Sequence, residues 1–139
     1  MMGGTHRPVL LKAVIAAINP RAQAIYVDGT FGGGGYSRGL LEAADCTVLG
    51  IDRDPEACAR GATMAQEFDG RLSTIHGCFG DMDRLLASQE IFNVEGIMLD
   101  IGVSSFQIDD PDRGFSFRFD GPLDMRMSLD GPTVADVVN

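Results

Sequence analysis

The apolar residues of the first two thirds of the chain alternate between two spacings. Leu10, Leu11, Val14, Ile15 and Ile18 recur at the 3.6-residue period that gathers them on one side of a helix. Pro8 suits the first turn of that helix, and Asn19-Pro20 ends it. Ile25-Tyr26-Val27-Asp28 then reads as a short buried strand. A helix is expected from about Tyr36 to Ala43, a strand over Thr47–Ile51 ending at Asp52, and a helix from Asp54 to about Phe68. Asp54-Pro55-Glu56 starts that helix with a cap, a first-turn proline and an acidic first turn. Leu72–His76 forms a third strand. Asp81–Glu90 forms a short helix with Met82, Leu85 and Leu86 turned inward, and Gly96–Ile101 forms a fourth strand.

A helix followed by strands alternating with helices predicts an α/β fold with a mostly parallel, doubly wound sheet. Such sheets normally continue past four strands, so the sheet is expected to be incomplete in this chain. After Gly102 the texture changes. Residues 102–132 are rich in glycine, aspartate and phenylalanine and carry no helical period, which predicts a long loop, either functional or disordered. Thr133 is placed to cap a helix that opens with Val134.

Composition narrows the class. The chain has 139 residues, 45% of them hydrophobic, enough for one core. No apolar run approaches the ~20 residues of a membrane span. No secretory leader is recognisable. Cys46, Cys58 and Cys78 show no paired or metal-ligand spacing and read as small hydrophobes in a reducing cytoplasm, with no metal site. The net charge of −9 argues against a stand-alone nucleic-acid-binding domain, because phosphates are contacted by Lys and Arg.

The candidate chemistry begins where the first strand ends, at Asp28-Gly29-Thr30-Phe31-Gly32-Gly33-Gly34-Gly35-Tyr36-Ser37. A glycine-rich turn between a strand and a helix lets a cofactor lie against bare backbone. A triphosphate loop would need Gly-Lys-Ser/Thr, and a dinucleotide loop a third glycine where Ser37 stands. Asp28 would repel a pyrophosphate but suits the sulfonium and ammonium of S-adenosylmethionine. Asp52, ending the second strand, is placed to accept hydrogen bonds from ribose hydroxyls. Phe79 is placed to cover an adenine, and Asp100 lies at the sheet edge where open α/β sheets bind ligands. A nicotinamide-dependent oxidoreductase remains the competing reading of the same loop.

These residues, together with His6-x-Pro8-Val9-Leu10-Leu11, Leu99-Asp100-x-Gly102-Val103-Ser104-Ser105-x-Gln107, Arg113-Gly114-Phe115-Ser116-Phe117-Arg118 and Asp120-Gly121-Pro122-Leu123-Asp124-Met125-Arg126-Met127, resemble the RsmH (MraW) family of ribosomal RNA small-subunit (cytosine-N4)-methyltransferases. The resemblance spans nearly the whole chain. It implies a Rossmann-like class I methyltransferase sheet and S-adenosylmethionine as cofactor. It implies donor contacts from Gly34, Gly35, Tyr36, Asp52, Phe79, Asp100 and Gln107. The partner it implies is the 16S rRNA of the small ribosomal subunit. Tyr36 stands where the family usually shows histidine, and Phe106 where proline usually precedes the glutamine. Residues 1–132 would be the N-terminal part of the methyltransferase domain and 133–139 the start of a helical insertion.

The implied reaction methylates the exocyclic amine of cytosine. Asp100 and Ser104, after the fourth strand, are the candidate catalytic residues. Phe115, Phe117 and Phe119 interleave with Arg113, Arg118 and Arg126, a composition for stacking an unstacked base and holding phosphates, or else for a ribbon with one buried ring face. His76 reads as a strand residue, and His6 as a helix start or a site contact. A donor-binding fragment without turnover is the other reading of the chain. An open sheet edge would leave a surface on which a homodimer could form.

Overall fold

The computed structural model describes residues 8–139. The expectations for His6 therefore lie outside the described residues. Contacts divide the chain into two compact units, one ending at Asp100 and the other beginning at Ile101.

The first unit is a four-stranded parallel sheet with helices between the strands. Its elements are α1 (Leu11–Ile18), β1 (Ile25–Asp28), α2 (Gly35–Ala43), β2 (Thr47–Asp52), α3 (Pro55–Ala65), β3 (Leu72–His76), α4 (Met82–Ser88) and β4 (Gly96–Met98). The strand order is β3-β2-β1-β4. β1 pairs in parallel with both β2 and β4, with Val27 opposite Leu49 on one side and Ile97 on the other. The order reverses between β1 and β4. That is the switch point at whose C-terminal edge open α/β sheets bind ligands.

The central strands are buried because helices cover them. Tyr26, Val27, Val48, Leu49 and Ile51 are all at most 1% exposed, and Leu40 of α2 is fully buried against them. Each such side chain contributes about 1.5–3 kcal/mol by leaving water. α3 opens as the sequence predicts: the Asp54 carboxylate accepts from the Glu56 N–H at 3.0 Å, with Pro55 in the first turn.

Several boundaries differ from expectation. Leu10 does not join the apolar side of α1. It precedes the helix in the left-handed region at φ 55° and is exposed. Val14, Ile15 and Ile18 do pack on the core. α3 ends at Ala65 rather than Phe68, yet Phe68 is buried from the following turn. α4 is shorter than expected and follows a 3-10 turn, Phe79–Asp81. β4 stops at Met98 because only Gly96–Met98 find partners on β1. Cys46 is buried as a hydrophobe would be, but Cys78 is exposed in the turn before Phe79. Among the described residues, no helix is long and apolar enough to cross a membrane.

The second unit corrects the reading of residues 102–132 as a loop without helix. It contains α5 (Ser105–Asp109), a 3-10 turn (Pro111–Arg113) and, after a long connection, α6 (Val134–Val138). α5 is set by a capping box: the Ser104 hydroxyl accepts from the Gln107 N–H, and the Gln107 side chain accepts from the Ser104 N–H. α6 has the same device in Thr133 and Asp136. Arg113 is 5% exposed and donates to the carbonyls of Arg126 and Met127, while Met125 N–H donates to the Arg113 carbonyl. Gly114 sits at φ 70°, where an added Cβ would lie 2.2 Å from the Pro122 carbonyl oxygen. The Arg113-Gly114 and Pro122–Met127 motifs are thus two sides of one backbone knot. The rings at 115, 117 and 119 form no strand, and Phe117 and Phe119 are exposed.

Candidate cofactor site

β1 ends with Asp28 and β2 with Asp52, on adjacent strands at the C-terminal edge of the sheet. The glycine turn between β1 and α2 is tied to its neighbours at nearly every residue. Gly29 N–H donates to the Met98 carbonyl at 2.9 Å and Phe31 N–H to the Ile51 carbonyl at 3.1 Å. Gly32 N–H donates to Asp52 Oδ2 at 2.7 Å. The loop is therefore held by β2 and β4 and preorganised rather than floppy.

Asp28 is 1% exposed. Its Oδ2 accepts the Ser37 hydroxyl at 2.7 Å and its Oδ1 the Thr30 N–H at 3.3 Å. Burial pushes its carboxyl up from 3.8 to about 6, with the Asp52 charge adding to the rise and the bonds from Ser37 and Thr30 opposing it. This corrects the expectation that Asp28 faces the donor's cations. Its carboxylate is turned into the loop and braces Ser37, in the first turn of α2.

Asp52 is only partly buried. Besides Gly32, it accepts from the Asp54 N–H at 2.9 Å through Oδ1. Two carboxylate oxygens offer about four acceptor positions, so two remain for ligand hydroxyls.

Phe31 enters the core from the loop. Added Cβ atoms at Gly34, Gly50 and Gly61 would lie 2.5, 2.5 and 3.0 Å from its ring. Gly34 is also at φ 73°, where side chains are disfavoured, so it is doubly constrained. α2 begins immediately after it without a side-chain cap. Among the described residues, the N–H groups of Gly35 and Tyr36 have no intramolecular acceptor, leaving an anion-accepting helix start.

Phe79 lies on its 3-10 turn, 37% exposed. With Met82 and Leu99 it surrounds Gly29, where an added Cβ would lie 2.6 Å from Leu99 Cδ2 and 3.2 Å from Phe79 Cβ and Met82 Cε. Sequence reasoning picked Phe79 but missed Met82 and Leu99. The sequence pattern reads Met82 as an inward residue of the helix over 81–90 and Leu99 as part of the strand over 96–101, and neither spacing signals a place beside Gly29.

Asp100 is exposed, and its N–H donates to the Thr30 hydroxyl at 2.7 Å. The Tyr36 hydroxyl donates to the Val9 carbonyl at 2.5 Å. Burial raises the Tyr36 phenol above its ordinary value, and the charge of Asp100 raises it further. Gly34, Gly35, Tyr36, Asp52, Phe79 and Asp100 thus belong to one unit, around one sheet edge. Ser104 and Gln107 belong to the other unit, where the capping box engages both. Gln107 is 5% exposed.

A model of the MraW methylase family matches residues 3–139. The chain belongs to that family. Among curated relatives of this MraW-family chain, the ribosomal RNA small subunit methyltransferase H of Rhodospirillum rubrum is 59% identical over 134 residues, 96% of the chain and 41% of the relative. That of Acidiphilium cryptum is 57% identical over 140 residues, all of the chain and 45% of the relative. The chain thus spans less than half the length of these relatives. Solved structures share the fold. A candidate rRNA-methylase from Clostridium thermocellum superposes with a TM-score of 0.57 at 19% identity, covering 72% of this chain and 54% of that one. The C-terminal domain of precorrin-6Y C5,15-methyltransferase from Rhodobacter capsulatus gives 0.55 at 17%, covering 75% and 55%. The MraW-family chain therefore has a Rossmann-like methyltransferase fold with a parallel sheet.

Proposed function

We propose that the chain binds S-adenosylmethionine at the β1–β2–β4 edge and is the donor-binding part of an enzyme that methylates N4 of a cytidine in 16S rRNA, in the cytoplasm. The observation that carries the donor reading is the pairing of an uncapped helix start with the Asp52 carboxylate across a glycine turn. S-adenosylmethionine has a carboxylate for the first and ribose hydroxyls for the second, and it has no phosphate for Asp52 to repel. Gly35 and Tyr36 would hold the carboxylate through their N–H groups. Asp52 would accept from the ribose, and Phe79, Met82 and Leu99 offer apolar surface suited to an adenine.

When bound, the cofactor supplies a methyl group activated by its sulfonium. The cytosine amine is a poor nucleophile because its lone pair is delocalised into the ring. The protein must hold it in line, and an oxygen acceptor must draw on its protons. Asp100 is the residue proposed for that acceptor, since Thr30 fixes its main chain while its side chain stays exposed. Ser104 was the other candidate; its hydroxyl already accepts the Gln107 N–H, so it is the weaker one. The RNA substrate is the activity that the curated relatives carry in their names.

Calorimetric titration of the chain with S-adenosylhomocysteine and with NAD tests the donor reading. Binding of the former alone is expected, and binding of NAD alone would overturn it. Transfer of labelled methyl groups to small ribosomal subunits by this chain would rule out a binding-only fragment.

A further inference from the structure

The side chain of Tyr36 has a place in the site distinct from the backbone role given to it above. Three observations converge on it. Its hydroxyl donates to the Val9 carbonyl at 2.5 Å, twenty-seven residues away in sequence. Burial, and the charge of Asp100 beyond the end of β4, raise the same phenol above its ordinary value. Next to it, Gly35 lets Pro8 lie on the start of α2: an added Cβ would sit 2.2 Å from Pro8 Cγ. The segment that these contacts hold turns sharply. Leu10 is at φ 55°, an unfavourable conformation for a leucine, and it is 72% exposed. Burial of its own side chain therefore does not fix that turn. The contacts of Pro8 with Gly35 and of Val9 with Tyr36 do.

The geometry points to the Tyr36 hydroxyl as a positioning residue that clamps the segment Pro8–Leu10 beside the helix start that receives the donor carboxylate. The clamp deepens the donor-site reading of the preceding section and rests on it. A phenol has one proton to donate, and the Val9 carbonyl accepts it. Loss of the hydroxyl releases that segment. A histidine at this position would carry its ring nitrogens closer to the main chain than a phenol carries its oxygen. It would not span to the same acceptor.

Two variants and two readouts test the clamp. The chain has two tyrosines and no tryptophan, so phenolate absorbance reports Tyr36 cleanly once the curve of Tyr36→Phe is subtracted. Tyr36 is expected to titrate above an ordinary phenol and to fall toward that value in Asp100→Asn. Hydrogen exchange over residues 9–11 is expected to speed up in Tyr36→Phe, with thermal melting confirming that the variant is folded. S-adenosylhomocysteine should bind Tyr36→Phe about threefold to tenfold more weakly, the loss of one hydrogen bond. Tyr36→His should not restore the affinity. Exchange over residues 9–11 unmoved by Tyr36→Phe, or an ordinary phenol titration of Tyr36, overturns the clamp. If the parent chain binds no S-adenosylhomocysteine while both readouts behave as expected, the clamp stands and the donor-site reading fails.

Discussion

Replacing Asp28 by asparagine should make the chain more stable at neutral pH and leave its stability almost unchanged in acid. Asp28 is 1% exposed, and burial holds its carboxyl at about 6 in place of 3.8. The folded chain therefore binds more protons than the unfolded chain between those two values. The stability that protonation of this group confers is complete below pH 3.8 and is lost as the pH rises through about 6. The difference, from 3.8 to about 6, corresponds to roughly 3 kcal/mol. Asparagine carries no charge to desolvate. Its carbonyl oxygen can still accept from Thr30 N–H, and its amide can donate to the Ser37 hydroxyl oxygen. Part of the penalty should be recovered, about 1–3 kcal/mol above pH 7. Urea unfolding of both chains at a series of pH values measures this. Other groups titrate too: the Arg126 guanidinium holds Asp124 down at about 2, which removes stability in strong acid. Such effects are common to both chains and cancel in the difference curve. That curve should rise between about pH 4 and 6 and then level off. A flat difference would show that Asp28 is not kept charged at the expense of stability, and the brace argument would fall. Donor affinity measured on the same variant should decrease, because a neutral amide grips Ser37 less firmly than a carboxylate.

Further outcomes follow from the loop and the sheet. Asp52→Ala removes the acceptor for Gly32 and Asp54 N–H along with the proposed ribose contact; S-adenosylhomocysteine affinity should fall at least about tenfold, and unchanged calorimetric affinity would refute the ribose role. Gly50→Ala puts a methyl 2.5 Å from the buried Phe31 ring and should destabilise the chain by about 1–3 kcal/mol in urea, whereas Gly70→Ala, with open space around the Cβ, meets no such clash. Gly70 is itself at φ 81°, so its smaller expected loss comes from backbone strain alone. Asp54→Ala removes the cap of α3 and should cost about 1 kcal/mol in the same assay.

The order of strands and helices was legible because each buried strand is an uninterrupted apolar run and each helix start carries its own chemistry, as at Asp54-Pro55-Glu56. The acidic ends of β1 and β2 were legible for the same reason: an acid closing an apolar run stands out. The direction in which Asp28 points was not. Periodicity gives no warning that Ser37, nine residues on, would return to cover it. Residues 105–109 were missed as a helix because one and a half turns leave no period to count. The local sign was present in Ser104-x-x-Gln107, the spacing of a capping box. The knot of Arg113 with Arg126 and Met127 depends on backbone carbonyls, which no side-chain pattern announces. The clamp at Tyr36 reaches back to Val9, twenty-seven residues earlier, and only the folded chain brings the two together.

The Phe31 ring, seated among Gly34, Gly50 and Gly61, makes the ligand loop and the hydrophobic interior a single mechanical part. Natural variation at these positions should then be correlated rather than independent. A chain that acquires a side chain at 50 can tolerate it only by shrinking the residue at 31, and one at 61 needs room at Thr74 as well, whose Cγ2 lies 2.2 Å from the added Cβ. That exchange would slacken the glycine turn and move the Gly32 N–H relative to Asp52. Selection for donor affinity therefore reaches residues of β2 and α3 that touch no ligand. Attempts to stabilise this domain by filling those glycines would be expected to trade away binding.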